Sequence, residues 1–203
     1  MTDKSTMAVR TEPIDYSRLL DERCRGKTDL AAKLLRNLLD DSGPRWLIEA
    51  ENLPMSIVTL DVDDDASVAN AIEEILQGKN QIAVLVNNAG IGGGGAVEEV
   101  PLADFRQIME TNFFGVLRVT RAVLPTMRAQ KSGKIINVGS IAGLMASPMM
   151  TVYGATKFAL EGFTEALAME VAEHGIQCAL VEPGPFRTDF VTRSQDVADP
   201  HRT

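Results

Sequence analysis

Four short apolar runs recur along the chain, with helix-like patterns between them. The runs are Ser56–Val62 (SIVTLDV), Gln81–Val86 (QIAVLV), Lys134–Val138 (KIINV) and Ile176–Val181 (IQCALV). All have strand length and are rich in β-branched residues. Between them lie segments with apolar residues at helical spacing. Asp65 and Ser67 offer N-caps for a helix with Val68, Ile72, Ile75 and Leu76 on one face. Leu102 to about Ala129 is a long helical pattern, with Pro101 marking its start and Pro125 expected to kink or end its regular part. Thr151–Ala172 is a third, with Val152, Leu160, Phe163, Leu167 and Val171 along one stripe. Strands alternating with crossover helices predict an α/β fold, a doubly wound parallel sheet with helices on both faces. Such sheets bind ligands beyond the carboxyl ends of their strands. Functional residues are therefore expected just after Val62, Val86, Val138 and Val181.

The first 54 residues are less legible. Leu30, Leu34, Leu35, Leu38 and Leu39 form a helix-like stripe, closed by Asp40-Asp41-Ser42-Gly43-Pro44. Trp46–Ile48 is either a short strand or a helix start. Residues 1–27 carry no periodic pattern and are expected to be poorly ordered, as is the polar tail 194–203. With 203 residues, one domain over 1–193 is expected. Apolar residues form 45% of the chain and no run approaches the ~18 needed for a membrane span. The net charge of −8 argues against a nucleic-acid partner. Cys24 and Cys178 make neither a disulfide framework nor, with two His, a zinc pattern. A polar start without an apolar leader and so few cysteines make a cytoplasmic location the expectation.

Gly90-Ile91-Gly92-Gly93-Gly94-Gly95 matches the dinucleotide pattern G-x-G-x-x-G. Its context is wrong, because that pattern must open a helix at once so that a pyrophosphate meets the helix N-terminus. Here Ala96–Val100 intervene. The run reads as a flexible loop bordering a cleft.

Tyr153 and Lys157 are four residues apart on one predicted helix and share a face. Ser140 ends a strand 13 residues before Tyr153. Asn112 interrupts an apolar helical pattern beside Phe113 and Phe114, where a buried amide needs partners; packing and a functional site both explain it. A phenol titrates near ~10, and an ammonium one turn away is expected to lower that value. A serine hydroxyl could hold a substrate oxygen within reach of the phenol. This is the equipment for proton transfer to or from an alcohol or carbonyl, with hydride going to a cofactor because no side chain accepts it.

Asn87-Asn88-Ala89-Gly90, Asn112, Ser140, Tyr153-Gly-Ala-Thr-Lys157 and Pro183-Gly184-Pro-Phe-Arg-Thr188 stand in an order and spacing that resembles the short-chain dehydrogenase/reductase family. Gly139-Ser140-Ile-Ala-Gly-Leu and Lys157-Phe-Ala-Leu-Glu-Gly look most like its 17β-hydroxysteroid and retinol dehydrogenase branch. The resemblance covers about Ser56 to Phe190, and more weakly Thr28 to Leu53. It implies a Rossmann-like fold and an NADP- or NAD-dependent oxidoreductase acting on a small apolar alcohol or carbonyl compound. Tyr153 would be the catalytic acid/base, Lys157 would lower its pKa and bind the nicotinamide ribose, Ser140 would orient the substrate oxygen, and Asn112 would hold a relay water. Asp61 and Val62 would flank the adenine, and Asn88, Ala89 and Gly90 would line the cofactor. Pro183, Gly184 and Thr188 would contact the nicotinamide end, and Met145, Met149, Met150 and Phe186 the substrate. Pairing through the two long helices into a homo-oligomer is a further implication.

The family opens with a strand, a T-G-x-x-x-G-I-G turn and a helix. No such segment is present: only Gly26 and Gly43 precede position 78. If Arg25-Gly26-Lys27 corresponds to the loop after the family's second strand, its basic residues favour NADP over NAD. The resemblance therefore implies a sheet truncated at both ends, without its first strand–turn–helix unit and its last strand, and with an unpaired edge on the Gln81–Val86 strand. Two expectations remain: an enzyme with an altered cofactor grip, or a non-catalytic or unstable fragment that no longer binds cofactor.

Overall fold

The computed structural model describes residues 58–184. The stripe beginning at Leu30, Trp46–Ile48, Arg25–Lys27, Cys24, Phe186, Thr188 and the tail lie outside the described residues. Three parallel strands form one sheet in the order β1-β2-β3: β1 is Val84–Asn87, β2 Gly133–Val138 and β3 Ile176–Val181. The register sets Asn87 beside Asn137, and Asn137 beside Leu180. The helices are α1 (Asp65–Lys79), α2 (Leu102–Met109), α3 (Val116–Gln130) and α4 (Thr151–Val171), with a π-helical segment, Glu110–Gly115, joining α2 to α3. The chain is thus an α/β protein built from helical crossovers between parallel strands, β1 to β2 through α2 and α3, β2 to β3 through α4.

One sheet face is sealed by α3 and α4. Val119, Val123, Met127, Ile135, Leu167, Val171 and Ile176 make a common core with Val68 and Ile72 of α1. A polar ladder crosses this same face. Asn87 Nδ2 donates to Thr120 Oγ1 of α3 at 3.1 Å and to Asn137 Oδ1 at 2.8 Å. Asn137 Nδ2 donates to Thr164 Oγ1 of α4 at 2.8 Å. Val84 and Val86, which alternate with this face, are 49% and 44% exposed.

Several expectations change. The composition of Ser56–Val62 predicts a strand, but residues 58–62 form none. A strand exists only through a neighbour, and β1 pairs with β2 alone among the described residues. The segment is instead held at its end: Arg118 Nη1 donates to the Val62 carbonyl at 2.5 Å, and the Asp61 amide donates to Ser67 Oγ at 2.9 Å. The cap of α1 is Asp64, whose carboxylate accepts from the Ser67 amide, rather than Asp65 or Ser67. Ile75 is 39% exposed, and Ala71 takes its place on the buried face. The strand predicted over Gln81–Val86 starts later, because the Gln130 side chain takes both the amide and the carbonyl of Ile82, at 2.8 and 3.0 Å. Pro125 does not end α3; the helix continues to Gln130. Pro125 lies on the exposed side with Arg121 one turn earlier, where water can replace the missing donor. Among the described residues, no helix is long and apolar enough to cross a membrane, and no group of three His, Cys, Asp or Glu could hold a metal.

Candidate active site

The site forms where β2 ends. Ser140 follows β2 with extended backbone, and its hydroxyl accepts from the Ala142 amide at 3.2 Å, capping the short 3₁₀ turn Ile141–Gly143. The Gly139 amide donates to the Val181 carbonyl at 2.7 Å, and the Ile141 amide to the Pro183 carbonyl at 3.2 Å. The serine turn and the Pro183-Gly184 segment are therefore stitched together. On α4, Tyr153 and Lys157 are both buried. The Tyr153 phenol lies within hydrogen-bonding reach of the Ser140 side chain. Lys157 Nζ donates to the Val138 carbonyl at 2.9 Å and lies 5.5 Å from the centre of the Tyr153 ring. The structure thus brings Ser140, Tyr153, Lys157 and Pro183 together at one end of the sheet.

The electrostatics differ from expectation. Burial pushes the Tyr153 phenol above its ordinary value, and the hydrogen bond with Ser140 opposes this. Burial also brings the Lys157 ammonium down to about 8. The expected lowering of the tyrosine by the lysine is not the outcome, because loss of water disfavours the phenolate and the ammonium alike. Near neutral pH this arrangement holds a neutral phenol beside a serine hydroxyl.

Asn112 is 1% exposed and sits in the π-helical segment. Its Oδ1 accepts from the Ile91 amide at 2.8 Å. Its Nδ2 donates to the Ile91 carbonyl at 2.9 Å and to Thr156 Oγ1 at 3.2 Å. Thr156 in turn donates to the Tyr153 carbonyl at 2.7 Å. The side chain therefore clamps the start of the glycine run to the helix that carries the tyrosine.

The glycine run is fastened rather than free-standing. Gly92 and Gly93 are buried, and the next helix, α2, begins only at Leu102. The Gly95 amide donates to the Met149 carbonyl at 2.8 Å, making a parallel bridge between Gly95 and Met150. A Cβ at Gly94 would lie 2.5 Å from the Met149 carbonyl oxygen. Close backbone approach next to the first turn of α4 is enough to require glycine there. Gly94→Ala is expected to cost about 1–3 kcal/mol of stability through overpacking, read as a lower urea midpoint with unchanged slope. A wild-type midpoint would mean that the run yields without strain.

The residues expected around a cofactor separate into two groups. Val62, Asn88 and Ala89 line an open pocket of about 180 Å³ at the edge of β1 that pairs with no other strand among the described residues, with Leu60, Leu85 and Thr111. Asp61 is exposed and does not line it; its carboxylate accepts from the Asp63 amide at 3.0 Å. Gly90 faces the Asn112 carboxamide. Pro183 and Gly184 stand at the serine turn, at the other end of the sheet's carboxyl edge. Met145, Met149 and Met150 are exposed beyond the same turn.

No motif announces the Asn87–Asn137 ladder, yet the sequence carries a signal for it. Asn137 is the polar residue inside an otherwise apolar strand, and Thr120 and Thr164 are polar positions on apolar helix faces. Glu161, one turn beyond Lys157, carries no such signal, since an acidic residue on a helix ordinarily faces water.

A family model described as short chain dehydrogenase matches residues 38–198. The chain is 45% identical over 142 residues to 3-ketodihydrosphingosine reductase of Bacteroides thetaiotaomicron, a match covering 70% of this chain and 53% of that protein. It is 43% identical over 142 residues to retinol dehydrogenase 8 of Bos taurus, covering 70% and 45% respectively. The crystal structure of gluconate 5-dehydrogenase from Burkholderia cenocepacia J2315, in complex with NADP and tartrate, superposes with a TM-score of 0.63 at 36% identity over 64% of this chain and 51% of that one. The chain spans about half the length of the curated relatives it matches.

Proposed function

The chain belongs to the short-chain dehydrogenase family, and from that premise we propose that it interconverts a secondary alcohol and a ketone, or a primary alcohol and an aldehyde, with NADP or NAD. The observation that carries the reading is the contact of Ser140 with Tyr153 above the buried Lys157. A bound nicotinamide supplies the hydride donor or acceptor, which no side chain can replace. The chain's own residues handle the proton. The Ser140 hydroxyl orients the substrate oxygen, and the neutral Tyr153 phenol is the acid that carbonyl reduction needs, giving its proton to the forming alcohol. Lys157 supplies positive charge behind the ring and three donors, one already on Val138. Asn112 holds the tyrosine helix and the glycine run in register, and its place in a proton relay is part of the same reading.

The pocket at the β1 edge, lined by Val62, Asn88 and Ala89 among others, is where the adenine ring would sit. Val62 would flank the adenine there, with Asp61, its neighbour in the chain, beside it but outside the lining, and Gly90 continuing the lining. Lys157 would take the ribose, and Pro183, Gly184 and Thr188 the nicotinamide end. The substrate would be small and apolar, bordered by the exposed methionines. A cytoplasmic homo-oligomer paired through α2, α3 and α4 completes the proposal.

A second reading is favoured by one observation. The sequence has no T-G-x-x-x-G-I-G turn, and the run at Gly90–Gly95 is committed to Met149 rather than opening a helix. Under that reading the catalytic residues are assembled but the chain does not grip the pyrophosphate. Titration with NADPH and NADH, followed by their fluorescence, separates the two. Saturable binding, tighter for NADPH and weakened about tenfold or more in Lys157→Ala through loss of a charged hydrogen bond, is expected. A folded chain that binds neither form establishes the second reading.

A further inference from the structure

Behind the serine turn lie two carboxyl groups that the mechanism does not use. Glu161 is on α4, one turn past Lys157, and its Oε1 is buried without a hydrogen-bond partner. That oxygen lies against the connection leaving β2: a Cβ at Gly143 would come within 3.0 Å of it, and one at Gly139 within 3.4 Å. Glu182, immediately after β3, brings its carboxyl within hydrogen-bonding reach of the Glu161 side chain. It immediately precedes Pro183, whose carbonyl takes the Ile141 amide. Glu161 thus sits where three pieces of the site meet: the tyrosine helix, the serine turn and the Pro183-Gly184 segment.

Two carboxyl groups hydrogen-bond to each other only when one is protonated, since a carboxylate has no donor. Among the described residues, the charged groups that act on Glu161 favour its protonated form. On α4, Glu165 is negative, and the Lys157 ammonium is engaged with Val138. From β3 comes Glu182. The connection Gly139–Gly143 carries no titratable side chain. Burial first, then Glu182 and Glu165, raises the Glu161 carboxyl to about 7.

We propose that Glu161 and Glu182 share one proton, and that this shared proton positions the serine turn and the Pro183-Gly184 segment against the helix carrying Tyr153 and Lys157. Loss of the proton sets two carboxylates side by side, and they separate. The turn and the Pro183 carbonyl then lose their tether to α4. Glu161 is a positioning residue, and its consequence for turnover rests on the oxidoreductase reading, whereas the pairing itself does not.

The test is an NMR titration of the full chain with ¹³C-labelled glutamate carboxyls. One glutamate is expected to titrate near 7 and to be missing in Glu161→Gln. The backbone amides of Gly139, Gly143 and Gly184 should shift with the same midpoint in the wild type and stay still in the variant. In Glu182→Gln the Glu161 midpoint should fall, because a negative neighbour is gone; this variant decides the matter if Glu161→Gln does not fold. A Glu161 midpoint in the ordinary carboxylate range overturns the proposal, as do glycine amides that ignore its titration. Neither readout needs cofactor or turnover, so the pair can be tested even in a chain that binds no nicotinamide.

Discussion

Tyr153→Phe is expected to leave the chain folded, to bind NADPH as the wild type does, and to lose turnover by about 10²–10⁴-fold. The ring stays, so the packing of the first turn of α4 and the contact with Lys157 persist. Only the hydroxyl goes, and with it the proton donor and the bond with Ser140. The effect should fall on kcat, since the proton moves in the transition state rather than on binding. Carbonyl reduction by the wild type should also decline with rising pH, because the acid form of the phenol is the competent one. Burial holds the phenol's pKa above the usual tyrosine range, so the decline belongs to alkaline pH. Steady-state kinetics of both chains, with binding measured separately, checks this. Wild-type turnover in the variant would remove the proton-transfer role from Tyr153.

Asn137→Ala is expected to be among the most damaging single changes to stability, at about 3 kcal/mol. Asn137 is 0% exposed and joins β1 to β2 and β2 to α4 through its side chain. Truncation removes two buried hydrogen bonds, at about 1 kcal/mol each, and adds the cost of a cavity. Asn87 keeps one partner in Thr120, and the Thr164 hydroxyl still donates to the Leu160 carbonyl at 2.7 Å. The loss is therefore smaller than that of an orphaned network. Thr164→Val, which removes the bond from Asn137 and the bond to the Leu160 carbonyl with little change of volume, should cost about 1–2 kcal/mol. Equilibrium urea unfolding of the three chains measures both. Equal midpoints for wild type and Asn137→Ala would show that the ladder contributes nothing to stability.

Both predictions depend on positions that differ in how plainly the chain announces them. Tyr153, Lys157 and Ser140 are readable because a helix repeats its face every four residues and because parallel strands present their carboxyl ends to one edge. β2, β3, α4 and the long Leu102–Gln130 helical stretch are readable for the same reason, their apolar period being unmixed. The segment ending at Val62 is not: its β-branched composition is that of a strand, but strand formation is a property of two segments, and its partner is not in its own sequence window. The π-helical turn at Glu110–Gly115 is hidden in the same way. Its local pattern is helical, and it is the clamp of Asn112 on Ile91 and Thr156 that goes with its local departure from the α ladder.

Side-chain ionisation is the least legible quantity. From sequence, Lys157 beside Tyr153 means a lowered phenol pKa, because a cation is near. In the fold both groups are buried, and desolvation is the largest influence on each. Glu161 shows the same limit from the other side. Nothing in Leu160-Glu161-Gly162 distinguishes it from a solvated acid, and only the arrival of Glu182 from β3 makes it half of a pair.

Local period and residue chemistry therefore determined, without any coordinates, that this chain alternates strands with crossover helices and carries a serine, a tyrosine and a lysine at one strand edge. The tertiary structure alone decided which apolar run pairs, why Gly94 is a glycine, where the buried amides find partners and which acids keep their protons. The first set depends on neighbours a few residues apart. The second depends on water being excluded by segments distant in sequence, and exclusion of water is set by packing.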